Sequence, residues 1–352
     1  MTLSFKRMVH AVDSHTEGNP TRVVIGGVPV PPGATLGARI DWLKRHDDAL
    51  RRLLNFEPRG NPMMCSVYVF PAIDPNADFS VVITEQDEYV PMSGHCIIGT
   101  ATTVVATGMA PAREPETTVT FETLAGIVTC KVGVEGGRIG AVSFENVPSF
   151  LLLRDIVVRR EGRPEIVVDV AYGGCFYAIA DADALGLDLG PANEAEIIAE
   201  ARSLIQALNA QHRIAHPFVE GIEHCYQTLF RSSRCCTGDV KQVIVAPPGA
   251  LDRSPCGTGA SAHLAALVAK GAARLGEEFL FEGLMGTTFA ATATEARTET
   301  GHSVIIPRVR GRAFLTGFYQ LVLDHDDPFP EGFRIGDTPR DQRRSGVWGS
   351  GR

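Results

Sequence analysis

The stretch P-M-S-G-H-C-I-I-G-T (residues 91–100) is answered about half a chain later by S-P-C-G-T-G-A-S-A (residues 254–262). In each, a small protic side chain, Ser93 or Cys256, stands directly before a glycine, and small and apolar residues follow. Residues 97–108 and 257–271 carry hardly any charge, so both runs predict helices buried on nearly all sides. Their Gly, Ala, Ser and Thr side chains let surrounding strands come close. Gly108 and Gly271 stand where a helix takes a C-capping glycine. The pattern predicts an α/β (α+β) chain of two halves. Each half is a curved sheet or barrel around one central helix, and the two helix N-termini meet at the cleft between them.

The rest of the chain fits two such halves. Runs rich in Val, Thr, Ile and aromatic residues predict strands at residues 22–25, 66–70, 79–84, 117–121 and 126–132. One helix is expected within residues 36–55, with Leu43, Leu50 and Leu54 on its apolar side. The plan returns with strands at 166–171 and 175–180, an amphipathic helix at 193–211, and strands at 242–246, 303–306 and 314–323. At 352 residues the chain exceeds the size at which single cores stop growing. The expected division is a first domain over residues 1–155, bearing Ser93 and completed by the C-terminal strand near 314–333, and a second over 156–313, bearing Cys256. Residues 334–352 read as a polar tail.

Composition excludes several classes. With 44% hydrophobic and 21% charged residues the chain has material for packed cores. A net charge of -8 with scattered Lys and Arg argues against a nucleic-acid surface. No run approaches the roughly 20 apolar residues that span a bilayer, and M-T-L-S-F-K-R-M lacks a signal-peptide core, so a cytoplasmic location is expected. The eight cysteines include no C-x-x-C and read as free thiols, with a vicinal Cys235-Cys236 disulfide as the alternative. His212 and His216 have the spacing of a zinc pair, yet Pro217 follows at once and no Glu stands beside them, so no metal is expected.

The two turns suit one kind of chemistry. A helix N-terminus offers N–H groups without intrahelical acceptors and about half a positive charge, which favours a carboxylate. Gly94, His95, Gly257 and Thr258 occupy those first-turn positions. The same field predicts a lowered pKa and a thiolate at Cys256, and Asp252 could take an ammonium group. Each residue also has a plainer reading: Cys256 as a cap, Asp252 as a turn former, His95 as a helix-start cap. His15 and Glu17 line a pocket mouth or simply belong to a turn in T-E-G-N-P. Two rivals exist. Gly257-Thr258-Gly259-Ala-Ser-Ala262 fits the dinucleotide fingerprint G-x-G-x-x-A, but P-P-G-A-L-D-R-S-P separates it from its strand. A cysteine hydrolase with His95, His216 or His224 as base leaves Ser93 without a task.

At these residues the chain resembles the proline racemase family, which includes 4-hydroxyproline 2-epimerases and trans-3-hydroxy-L-proline dehydratases. The resemblance runs through D-S-H-T-E-G-N-P-T-R-V-V (residues 13–24), E-P-R-G (57–60), M-S-G-H (92–95), D-R-S-P-C-G-T-G (252–259) and D-D-P-F-P-E-G-F (326–333). It implies a cofactor-free enzyme, commonly a homodimer, with a diaminopimelate-epimerase-like fold of two pseudo-symmetric domains. It also implies that Ser93 and Cys256 are the acid/base residues on the two faces of Cα, with Gly94, His95, Asp252, Gly257 and Thr258 as substrate contacts. Two departures stand out: Ser93 replaces one thiol of the racemase pair, and N-P-M-M-C (61–65) follows E-P-R-G where many members have histidine and an acidic residue.

Racemisation needs two groups with pKa values near the working pH, and a serine hydroxyl is far from that. In trans-3-hydroxy-L-proline the hydroxyl and the Cα hydrogen share one ring face, so dehydration needs chemistry on that face alone. The expected activity is therefore trans-3-hydroxy-L-proline dehydration to pyrroline-2-carboxylate, with 4-hydroxyproline 2-epimerisation as the alternative. A small amino-acid binding protein on the same fold is the non-enzyme reading.

Overall fold

The computed structural model describes residues 4–219, 222–247 and 249–335, and its strands join in one 18-stranded sheet. The strand order is a repeat. In the first half the neighbours are Ala313–Leu323, Arg7–Thr16, Asn19–Gly26, Cys65–Pro71, Phe79–Thr84, Glu116–Thr123, Gly126–Glu135 and Arg138–Glu145. In the second they are Phe150–Arg160, Arg163–Tyr172, Phe176–Asp181, Gln227–Ser232, Val240–Ala246, Glu278–Glu282, Thr288–Glu299 and His302–Gly311. Both series pair antiparallel, antiparallel, parallel, antiparallel, parallel, antiparallel, antiparallel. The chain's last strand thus takes the outer place in the first series. The series meet where Arg138–Glu145 pairs with His302–Gly311.

Six α-helices lie among the described residues: α1 (Leu36–His46), α2 (Asp48–Asn55), α3 (Gly94–Ala106), α4 (Ala182–Leu185), α5 (Glu194–Gln211) and α6 (Gly257–Ala269). α3 packs inside the first series and α6 inside the second. Residues 94–105 and 257–266 are all buried, as their lack of charge requires. The largest apolar cluster takes Ile97 and Ile98 of α3, Ala260 and Leu264 of α6, and Phe144, Phe281 and Phe289 from the sheet. Each helix ends in the same way. Gly108 (φ 74°) and Gly271 (φ 72°) follow the last turn in the left-handed region, and the residue two further on, Ala110 or Ala273, donates its N–H back to the carbonyl of Val104 or Leu267.

On the outside, α5 buries Ile197, Ile198, Ala201, Leu204 and Leu208 against the second series. α1 and α2 bury Leu36, Ile40, Leu43, Leu50 and Leu54 against the first. Each such Leu or Ile contributes about 1.5–3 kcal/mol relative to exposure. The single helix expected over residues 36–55 is in fact two. Asp47 (φ -146°) leaves the helical conformation, and its carboxylate takes Arg7 Nη2 at 2.8 and 3.0 Å from the neighbouring strand.

Several strands escape the sequence pattern, among them Arg7–Thr16, Phe150–Arg160 and Thr288–Glu299. The last reads T-F-A-A-T-A-T-E-A-R-T-E, whose Ala and Glu favour helix. Pairing on both edges overrides that preference. Of the polar tail expected at 334–352, residues 336–352 lie outside the described residues. No helix among the described residues is long and apolar enough to cross a membrane.

Candidate active site

The N-termini of α3 and α6 touch. A Cβ added to Gly94 would stand 2.7 Å from Gly257 Cα, and one added to Gly257 would stand 2.9 Å from Gly94 Cα. Phe144, on the strand that joins the halves, lies 3.1 Å from either position. Only a pair of glycines allows so close an approach, and it brings Ser93 and Cys256, the residues before them, to one cleft. That cleft encloses roughly 550 Å³, open solvent included. The described residues lining it include two acids, Glu85 and Asp252, and no Arg or Lys. The first-turn N–H groups of Gly94, His95, Gly257 and Thr258 have no intrahelical acceptors and lie in or beside its floor.

The two cap residues are not equivalent. Ser93 (φ -144°) leaves the first turn of α3 without a side-chain cap, and its Oγ lies 3.2 Å from His95 Nδ1. Cys256 adopts φ 64°, a left-handed conformation rare outside glycine, and its Sγ accepts the Gly259 N–H at 3.3 Å. Tyr177, buried on Phe176–Asp181, places its hydroxyl 3.3 Å from Cys256 Sγ and 2.6 Å from Thr258 Oγ1. Contrary to the thiolate expected from the helix field, burial and the neighbouring Asp252 charge push the Cys256 thiol upward, against the contributions of Tyr177, Thr258 and the Gly259 N–H. Only 6% of Cys256 is exposed, and desolvation outweighs half a helix charge. Burial and Asp252 thus favour the protonated thiol at Cys256.

His95 is held from three sides. Its carbonyl accepts Thr16 Oγ1 at 2.9 Å, Asn19 Nδ2 lies 3.0 Å from Nε2, and Cys96 Sγ lies 3.4 Å from Nε2. Asn19 Oδ1 accepts the Arg253 N–H at 3.2 Å, so its amide turns an N–H toward the ring. Burial depresses the His95 imidazole, but Cys96, Asp252 and Glu85 outweigh it and carry the ring up to about 9. Burial raises the Cys96 thiol, yet its hydrogen bond with Cys65 and the His95 charge hold it well below the ordinary range. An imidazolium carries a proton on Nδ1. So does the neutral tautomer that accepts from Asn19 at Nε2, and in both Nδ1 donates to Ser93 Oγ, but the imidazolium needs the Asn19 N–H turned away from Nε2.

The carboxyls complete the cleft. Asp252 is 7% exposed, its Oδ1 accepts Ser254 N–H at 2.8 Å and Ser254 Oγ–H at 2.9 Å, and burial raises its pKa against the pull of His95 and Ser254. Glu85 follows the strand Phe79–Thr84. Its N–H bonds Glu88 O at 2.7 Å, its C=O accepts Asn55 Nδ2 at 3.0 Å, and burial carries its carboxyl up to about 7.

All seven residues singled out in the sequence, Ser93, Gly94, His95, Asp252, Cys256, Gly257 and Thr258, thus converge at the two helix starts, and six of them line the cleft. His15 and Glu17 do not line it: His15 stacks on Phe314 at 5.2 Å, and Glu17 belongs to a turn at φ 48°. The same motif supplies Asn19 instead. Arg22 pairs with buried Asp13 at 2.9 and 2.8 Å, and Arg59 of E-P-R-G pairs with Asp327 of D-D-P-F-P-E-G-F, so much of the resemblance outside the two turns is scaffolding. His212 caps the end of α5, and His216 lies beyond the helix between Phe150, Tyr172 and Phe218, where burial depresses it to about 4. No histidine bonds Cys256 among the described residues, which removes the cysteine-hydrolase arrangement. All eight cysteines are free, Cys235 and Cys236 included. Sequence reading missed Tyr177, Asn19, Glu85 and the Cys65–His95–Cys96 cluster. For Tyr177 the signal was a hydroxyl within an apolar strand, which needs a buried partner.

Comparison with known proteins gives the same site a lineage. The family description "Proline racemase" matches residues 11–334. A 4-hydroxyproline 2-epimerase of Streptosporangium roseum is 41% identical, over 94% of this chain and 99% of its own. A proline racemase of Clostridioides difficile is 37% identical, over 94% and 99%. The crystal structure of a hydroxyproline epimerase from Agrobacterium vitis, with bound trans-4-OH-L-proline, superposes with a TM-score of 0.89 at 36% identity, covering 96% of this chain and 98% of that one. A phenazine biosynthesis protein of Bacillus anthracis, of the PhzF family, shares the fold alone, at TM-score 0.56 and 15% identity. With its two glycine turns meeting across one cleft, and likeness along nearly its whole length, the chain belongs to the proline racemase family.

Proposed function

We propose that the chain is a cofactor-independent 4-hydroxyproline 2-epimerase. The observation that carries this reading is the contact of Gly94 with Gly257, which sets the side chains of Ser93 and Cys256 at the mouths of two opposed helix N-termini. The substrate carboxylate takes the first-turn N–H groups of both helices, where the charge that develops on loss of the Cα proton is also stabilised. The ring ammonium pairs with Asp252. That pairing offsets the Asp252 charge, the second cause after burial that holds the Cys256 thiol up, and the ammonium's own charge adds to the helix field in favouring the thiolate. Cys256 then takes the Cα proton on one face. Ser93 delivers its hydroxyl proton to the other, and His95, whose Nδ1 stands 3.2 Å from Ser93 Oγ, replaces it. The reverse reaction exchanges the two roles. The epimerases of Streptosporangium roseum at 41% identity and Agrobacterium vitis at 36% support the same activity.

One observation favours a second reading, dehydration of trans-3-hydroxy-L-proline. Glu85 lines the same cleft as a carboxyl raised to about 7 by burial, and such a group can protonate a departing 3-hydroxyl. Incubation with trans-4-hydroxy-L-proline, trans-3-hydroxy-L-proline and L-proline in deuterated water, with no added cofactor, separates the readings. Deuterium at Cα of an inverted 4-hydroxyproline is the expected result. Pyrroline-2-carboxylate as the main product would assign the dehydratase, and binding without exchange would make the chain a binding protein.

A further inference from the structure

We propose that Cys65, His95 and Cys96 form a site for one soft divalent cation, Zn²⁺ or Cd²⁺, set against the acid/base cleft. Cys65 opens the strand Cys65–Pro71, and His95 and Cys96 are the second and third residues of α3. Their donor atoms all lie within 4.8 Å of one another, and Cys96 Sγ is 3.4 Å from His95 Nε2. Tetrahedral zinc with Zn–S near 2.3 Å and Zn–N near 2.0 Å places its donors roughly 3.5–3.8 Å apart. The cluster therefore closes on an ion with a shift of about 1 Å at most. Two sulfurs and one imidazole select a soft cation over Mg²⁺ or Ca²⁺. Cys65 and His95 line the cleft, so the fourth position faces it, as in zinc sites that keep one open place.

The surroundings suit a cation. No Arg or Lys is among the described residues lining the cleft, whereas Glu85 and Asp252 both are. Two thiolates on a divalent ion make a neutral buried unit, the condition under which charge is tolerated in an interior. One outer contact is in place, Thr21 Oγ1 donating to Cys96 Sγ at 3.9 Å, whereas the Cys65 thiol, which donates to Met63 O at 3.6 Å, gives up that proton when the ion binds. Asn19 Nδ2, now 3.0 Å from Nε2, turns aside when the ion binds there. Nδ1 keeps its contact with Ser93, the orienting bond that a metal-bound histidine ordinarily makes through its other nitrogen. Because the ion fixes the ring that serves Ser93, its binding should also inhibit turnover; that clause alone rests on the function proposed above.

The test is titration of the full chain with Cd²⁺ and Zn²⁺, followed by calorimetry and, for Cd²⁺, by sulfur-to-metal charge-transfer absorption. It is made in the Cys235→Ala/Cys236→Ala background, which removes the surface thiols. One equivalent with a two-thiolate absorption is expected, and Cys65→Ala and Cys96→Ala should each weaken it by about tenfold or more. Binding unchanged in both variants, or lost already in the surface-thiol background, overturns the proposal. Loss on Cys256→Ala would also overturn it, by moving the ion to the catalytic thiol. If a variant fails to fold, anomalous diffraction from wild-type crystals soaked in Zn²⁺ decides. A peak among the three donors supports the site, and a peak elsewhere or none sinks it.

Discussion

Gly94 and Gly257 meet so closely that a single methyl on either would lie within 2.9 Å of the other's Cα. Each residue starts its helix, so the contact sets the Ser93 and Cys256 side chains, and two sets of first-turn N–H groups, at a fixed separation. Gly94→Ala and Gly257→Ala should therefore each cost about 1–3 kcal/mol by overpacking and lower kcat/KM at temperatures where the variants remain folded. The same change at Gly37, within α1 and with nothing nearer than 3.8 Å, should raise stability by about 0.5–1 kcal/mol. Denaturant midpoints and assays on the three variants check the contrast. Equal tolerance at all three positions would refute the contact.

Alkylation reports the state of Cys256. Burial and Asp252 keep it protonated in the free protein, so iodoacetamide should label exposed Cys236 first, and the rate at Cys256 should keep rising with pH beyond the ordinary thiol range. Peptide mapping at matched times measures both rates. Cys256→Ser should lower turnover by about a hundredfold or more.

Glu85 links pH to stability. Its pKa is near 7 when folded and 4.5 ordinarily, so between those values the folded state binds the extra proton, and stability falls as pH rises. The loss is absent below about 4.5 and complete above about 7. Glu85→Gln removes a half-buried charge and should stabilise the protein by at most about 3 kcal/mol above that window and by nothing below it. Thermal unfolding at both ends of the range is the check. The variant should also lose any ionisation near 7 from its kcat/KM profile, with the greater loss on trans-3-hydroxy-L-proline.

Ser93→Cys should restore a matched pair of thiols across Cα and raise the ratio of 4-hydroxyproline epimerisation to 3-hydroxyproline dehydration, compared as kcat/KM. A general loss of folding lowers both together and leaves the ratio alone. An unmoved ratio in a folded variant would place control of the reaction in the wall formed by Pro62, Met63 and Met64 instead.

The sequence alone determined what depends on neighbours along the chain. Uncharged runs of Gly, Ala, Ser and Thr made α3 and α6 recognisable as central helices, the residues before Gly94 and Gly257 marked their caps, and Gly108 and Gly271 marked their ends. Strands dominated by β-formers, such as Phe79–Thr84, were equally legible, whereas Thr288–Glu299 was not, because pairing overrode its composition. Tertiary structure decided the rest. Asn19, Cys65, Glu85 and Tyr177 come to the cleft from four separate strands or their ends, and only the pairing of those strands brings them together. The protonation of Cys256 was likewise beyond the sequence. The helix field that lowers a thiol's pKa can be read from a motif, but the larger desolvation that raises it exists only once the halves close over the site.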